Sequence, residues 1–113
     1  MPHDPFYVLK SGPWSSVGGG VERRVMHLSG MSMVSFRLPK GMKVDRTHRH
    51  PQEQVAYVIE GRVRMTIGDE VKELAAGEGY LVPSGVTHFA EPLVDSLILD
   101  VFAPQRDDLP ETG

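Results

Sequence analysis

The stretch "THRHPQEQVAYVIEG", Thr47 to Gly61, places two histidines, one glutamate and two glutamines within positions 48–54 and then runs into an apolar segment. His48 and His50 are separated by one residue, so on extended backbone their rings project from the same face. Neutral imidazole is a common ligand for divalent transition metals, which makes this pair a candidate half-site. By itself the pattern also describes two solvated histidines on a polar loop. Pro51 interrupts the chain after His50, and beyond it Glu53 and Gln54 point to opposite faces, so only one of them can join the histidines.

Outward from this stretch the texture is that of short strands. "MSMVSFRL" (31–38), "QVAYVIEG" (54–61), "RVRMTI" (62–67), "VKEL" (71–74), "GYLVP" (79–83), "THFAEP" (87–92) and "SLILDVFAP" (96–104) are rich in Val, Ile, Tyr and Phe and are punctuated by Gly, Pro or Asp. Val63, Met65 and Ile67 alternate with Arg62, Arg64 and Thr66, and Gly68-Asp69 supplies a turn, which predicts a hairpin with one wet face. No window offers a helical period, so the expected class is all-β, a sandwich or barrel with protected edges. Residues 1–30, with "SGPWSSVGGG" at 11–20, are expected to form an N-terminal arm with one or two strands, and residues 31–113 the barrel of a single-domain chain.

Composition narrows the function classes. The 113 residues carry a formal net charge of -3 with scattered basic positions, which argues against a nucleic-acid partner. There are no cysteines, so any metal falls to histidine, carboxylate or amide ligands. No apolar run approaches the roughly 20 residues needed to span a bilayer, and "MPHDPFYVLK" lacks the pattern of a signal peptide. The expectation is a cytoplasmic protein with no membrane partner.

A second block, "GEGYLVPSGVTHFAEP" (77–92), brings a third histidine. Gly85 suits a positive φ and Pro83 fixes its own, a combination that aims His88 from the start of a strand. The two blocks together resemble the two motifs of the cupin superfamily, with Gly41, His48, His50, Gln54 and Gly61 following the first and Gly77, Pro83, Gly85 and His88 the second. Gly41 lies one residue further from His48 than is usual, and Pro92 stands where an Asn often does. The resemblance implies a cupin double-stranded β-helix, a jelly-roll barrel holding one divalent metal ion in its mouth, with His48, His50, His88 and Gln54 as its ligands. Zinc, nickel, manganese and iron all suit such a set. Gln54 occupies the position that usually carries a glutamate. Four neutral ligands leave the ion its full charge and favour Lewis-acid chemistry, whereas Glu53 turned inward would favour an oxygenase.

Asp100 sits between Leu99 and Val101 in an apolar strand, with Phe102 on the same face and Arg106 just beyond. A carboxylate there must be paired, protonated or turned to a cavity. Two readings follow: an Asp100–Arg106 salt bridge closing the barrel end, or a general base with an arginine that receives a substrate carboxylate. The spacing is similar to that of the pectin-degradation cupins that ketonise unsaturated uronates. That likeness implies a lyase or isomerase acting on a carboxylate-bearing, sugar-like small molecule such as a 4,5-unsaturated uronate, with Asp100 moving the proton, Arg106 holding the acid and Phe102 shaping the pocket. A cupin dioxygenase and a non-catalytic metal-containing sensor are the alternatives. Tyr57, Met65 and Met33 are expected in the core, and His3 and His27 on the surface. Trp14 is a candidate for packing across a subunit boundary, since small cupins commonly form homodimers by sharing N-terminal strands.

Overall fold

A computed structural model describes residues 4–112 of the chain. These residues form a short 3-10 turn (Leu9–Ser11) and nine strands: β1 (Ser15–Ser16), β2 (Glu22–Leu28), β3 (Met31–Leu38), β4 (Glu53–Glu60), β5 (Arg62–Ile67), β6 (Glu70–Ala75), β7 (Gly79–Val82), β8 (His88–Pro92) and β9 (Ser96–Ala103). Every pairing is antiparallel. One sheet runs β1-β2-β3-β9-β4-β7 and the other β6-β5-β8, the jelly-roll architecture that the cupin resemblance implies and one form of the sandwich or barrel expected from the strand texture.

Alternation decides what each sheet contributes. Along β4, Gln54, Ala56 and Val58 are buried while Glu53, Val55 and Tyr57 are exposed. On β5, Val63 and Met65 point inward, and Arg62 and Arg64 lie outside within reach of Glu73 on β6. The inward residues of both sheets meet in one apolar cluster that includes Leu38, Val58, Val63, Leu74, Val82 and Ile98. A smaller cluster of Val25, Val34 and Phe102 fills the space under β2. β2 is thus a full member of the larger sheet, paired with β3 over seven residue positions from Glu22 to Leu28.

Gly61 joins β4 to β5 at φ +97°, and a Cβ there would collide with the Ser96 side chain and come within 2.8 Å of the Asp95 carbonyl oxygen. Glycine is therefore the one residue that allows the close approach of this turn to the start of β9. β9 lies between β3 and β4, which sets Asp100 beside Ala56 and Val34 on the neighbouring strands.

Candidate metal centre

The loop that carries His48 and His50 has no strand of its own to hold it. It is held by the second block: the Gly85 amide donates to the His50 carbonyl at 2.9 Å, and the His88 amide donates to the His48 carbonyl at 3.0 Å. Gly85 sits at φ +74°, so the turn predicted from Pro83 and Gly85 does deliver His88 as the first residue of β8. Asp45 caps the other side of the loop by accepting from the Thr47 amide and hydroxyl at 2.9 and 2.7 Å.

These contacts bring three imidazoles together. Ring centroids are 5.2 Å apart for His48 and His50, 4.7 Å for His48 and His88, and 4.8 Å for His50 and His88. One nitrogen from each lies within 4.8 Å of the others. Nδ1 of His50 faces the Gln52 carbonyl at 3.0 Å and Nδ1 of His88 faces the Val86 carbonyl at 2.9 Å. A proton on each Nδ1 directs the Nε2 lone pair into the mouth of the barrel. Burial, followed by the nearby His88 and His50, holds the His48 pKa down at about 4. Burial is also the main cause lowering His50 and His88. All three rings are therefore neutral near pH 7, as metal ligands must be.

Gln54 offers a candidate fourth donor beside His50. Its amide Nε2 donates to Asp100 Oδ1 at 2.7 Å, which fixes the amide orientation and turns Oε1 toward His50 Nε2, 3.0 Å away. Both nitrogens of His50 thus face carbonyl oxygens, and a neutral ring can donate to only one of them. With Nδ1 donating to Gln52, the Nε2 and Oε1 lone pairs converge, an arrangement that a shared cation relieves. The donor set therefore fits a divalent ion: three imidazole nitrogens and one amide oxygen. Glu53 is exposed on the opposite face of β4 and takes no part.

Asp100 is 3% exposed and lines the cavity inside the mouth, a space of about 280 Å³. Its Oδ1 accepts from Gln54 and, at 2.9 Å, from the Tyr80 hydroxyl. Burial pushes its pKa up to about 6, against the lowering effect of those two donors and of Arg106. Phe102 lies edge-on to His50 with centroids 5.2 Å apart, and the Arg106 guanidinium stacks 4.8 Å from the Phe102 centroid.

The structure corrects four sequence expectations. Arg106 does not pair with Asp100. Its Nε and Nη2 bind the two oxygens of Asp108 at 2.9 and 2.8 Å, because the chain turns after β9 and brings that nearer carboxylate into the fork of the guanidinium. Tyr57 is not core but 46% exposed, since its parity on β4 is opposite to that of Gln54. Met33 lies on β3 opposite Val101, partly exposed beside Met31 in an outer groove, whereas Met65 is buried and lines the cavity. His27 is no free surface group: its Nδ1 contacts Ser32 Oγ at 2.7 Å and its Nε2 contacts the Leu109 carbonyl at 2.9 Å. Ser32 Oγ also accepts from the Arg106 amide at 2.8 Å, so His27 and Ser32 tether the segment that carries Arg106. Trp14 packs under Arg37 of the same chain, 4.1 Å from the guanidinium carbon. His3 lies outside the described residues.

Sequence reasoning passed over Tyr80 and Asp108. Tyr80 carried a weak signal, since it alternates with Gly79 and Leu81 in the same way as the inward residues of its neighbour strand. Asp108 had the separation of two residues from Arg106 that the observed pair uses.

A jelly roll with three histidines and an amide oxygen converging at its mouth defines a class of small barrel with a candidate metal centre. Residues 34–91, more than half of the chain, match the family model of the Cupin domain, and the chain belongs to that family. Among curated proteins it is similar to the pectin degradation protein KdgF of Dickeya dadantii, with 28% identity over 106 residues covering 91% of this chain and 96% of that protein. Among solved structures it resembles KdgF from a Halomonas species, at a TM-score of 0.84 and 28% identity over 94% of this chain and 98% of the other. An RmlC-like cupin from Shewanella frigidimarina is similar at a TM-score of 0.85 and 28% identity, over 94% and 96% of the two chains. No helix among the described residues is long and apolar enough to cross a membrane.

Proposed function

We propose that this protein is a metal-dependent isomerase that opens the ring of a 4,5-unsaturated monouronate to a linear keto acid. The observation that carries this reading is Asp100: a buried carboxylate facing the cavity, oriented by Tyr80 and by the same Gln54 whose oxygen points to the histidines. Similarity to two proteins named KdgF, one described as a pectin degradation protein, supports the substrate class.

His48, His50, His88 and Gln54 would hold the ion, which when bound supplies a Lewis acid for an oxygen of the substrate. The remaining chemistry is the transfer of one proton. The anomeric hydroxyl loses its proton as its oxygen becomes an aldehyde, the ring carbon–oxygen bond breaks, and the former double bond takes up a proton to leave a ketone. Atoms and electrons balance without an oxidant. Asp100 is suited to both halves of that transfer. Gln54 and Tyr80 occupy Oδ1, and no described residue donates to Oδ2, which is left to exchange the proton. A carboxyl group raised by burial is also a better base near neutral pH than an ordinary aspartate. Phe102 forms an apolar wall beside His50, and Arg106 keeps a positive charge next to it.

The test is the ultraviolet absorbance of the conjugated double bond, followed without oxygen on protein loaded with one divalent metal at a time. Decay of the signal with formation of a keto acid is expected for at least one metal. A signal that persists with every metal, or that decays only when oxygen is admitted, would overturn the reading.

A further inference from the structure

A carboxylate substrate needs a cation in the cavity, and Arg106 has two of its donors engaged by Asp108. A second guanidinium lines the same cavity. Arg23 is half-buried on β2, in register with Phe36 on β3, which is in turn in register with Ile98 on β9. The next inward row is Val25, Val34 and Asp100. Arg23 is thus two strands across and one inward step along from Asp100, about 10 Å by about 7 Å at the backbone. Both residues line the same cavity.

Of the two guanidinium groups that line the cavity, Arg23 is the one without a counterion. Arg37 pairs with Glu22, Arg46 with Glu91, Arg62 and Arg64 with Glu73, and Arg106 with Asp108. The neighbouring Arg24 faces the other side of β2 and donates to the Val8 carbonyl. No side-chain hydrogen bond or ion pair engages Arg23 among the described residues, although it borders an apolar wall of Phe36 and Leu38. A guanidinium partly removed from water and left unpaired is a ready receptor for an oxyanion, which it can bind through two parallel N–H donors.

We propose that Arg23 anchors the substrate carboxylate and sets the preference of this cavity for sugar acids over neutral sugars. The proposal rests on the carboxylate-bearing substrate class argued above. Arg106, with two of its donors held by Asp108, then serves the reacting end beside Phe102 and Asp100.

Binding is measured by isothermal titration with galacturonate and with galactose, its neutral counterpart, on metal-loaded wild-type protein and on Arg23→Gln, Arg23→Lys and Arg106→Gln. The wild type is expected to prefer the acid at least tenfold. Arg23→Gln should lose that preference with unchanged metal content and unchanged urea midpoint, Arg23→Lys should restore part of it, and Arg106→Gln should keep it. With the unsaturated uronate, Arg23→Gln should raise KM at least tenfold and leave kcat within about threefold. A preference that survives in Arg23→Gln, that is lost in Arg106→Gln instead, or that is absent from the wild type overturns the assignment. The titrations do not require turnover, so failure of the unsaturated uronate as a substrate with a retained, Arg23-dependent acid preference would remove the reaction and keep the anchor.

Discussion

The two ends of the barrel use the same strands for opposite purposes. On β4 the inward positions run from Gln54 at the mouth through Ala56 to Val58 in the core, and on β9 from Phe102 and Asp100 to Ile98. Two residues along either strand separate a position filled for packing from one filled for chemistry. At the closed end, Val58, Val63 and Ile98 are at most 1% exposed and surrounded by apolar neighbours. At the open end, Gln54, Tyr80 and Asp100, also buried, form a hydrogen-bonded chain that ends at His50. The closed end stabilises the fold, and the open end holds an ionisable carboxyl group in a place that favours its neutral form.

The largest effect should come from breaking the open end. His50→Ala is expected to remove metal binding and to lower turnover by more than about 10³-fold, with a stability change small beside that, as read by metal content, kinetics and urea unfolding. Asp100→Asn keeps an acceptor for Gln54 and Tyr80 but cannot take a proton. Turnover should fall by about 10²- to 10⁴-fold while the metal stays bound. The closed end should respond the other way: Leu74→Ala, in the apolar cluster and outside the cavity lining, is expected to lower unfolding free energy by about 3 kcal/mol through lost burial and a residual cavity, with turnover per folded molecule little changed.

A smaller effect separates the ends through pH. In the metal-free protein the folded-state pKa of His48, about 4, lies below its usual 6.5, and His50 and His88 are lowered as well. Their contribution to stability is present above pH 6.5 and is lost as pH falls toward 4. Asp100 has the opposite sign. Its folded pKa of about 6 exceeds the usual 3.8, so its contribution is full below pH 3.8 and is lost as pH rises through 6. Between pH 4 and 6 the two trends offset one another. Asp100→Asn removes one of them, so its urea midpoint should match or exceed the wild type at pH 7 and fall more steeply on acidification. A parallel pair of curves would contradict the opposed signs.

The contrast also explains what could be read from the sequence. The strands of the closed end were legible because alternation is a local property, and Val63 and Met65 declare their face within one hairpin. The histidines were legible because a short spacing and a glycine-proline turn carry their geometry. Tyr80 was not, because its role depends on β7 pairing with β4 and β4 with β9, which brings together positions 54, 80 and 100. Arg23 was hidden for the same reason, since only the β2-β3-β9 rows place it over the cavity. Tyr57 shows the converse: once Gln54 faces inward, parity alone sends Tyr57 out. The Arg106 partner was a contest between two aspartates that depends on how the chain turns after β9, and no periodicity reports such a turn.

Metal stoichiometry most directly tests the claim that the polar end is built around an ion held by three histidines and the inward glutamine. Protein stripped with a chelator, dialysed against a divalent metal and assayed by elemental analysis should hold about one ion per chain in the wild type and in Glu53→Gln, and far less in His50→Ala and in His88→Ala. Loss of the metal in Glu53→Gln, or a wild type that retains none, would contradict it.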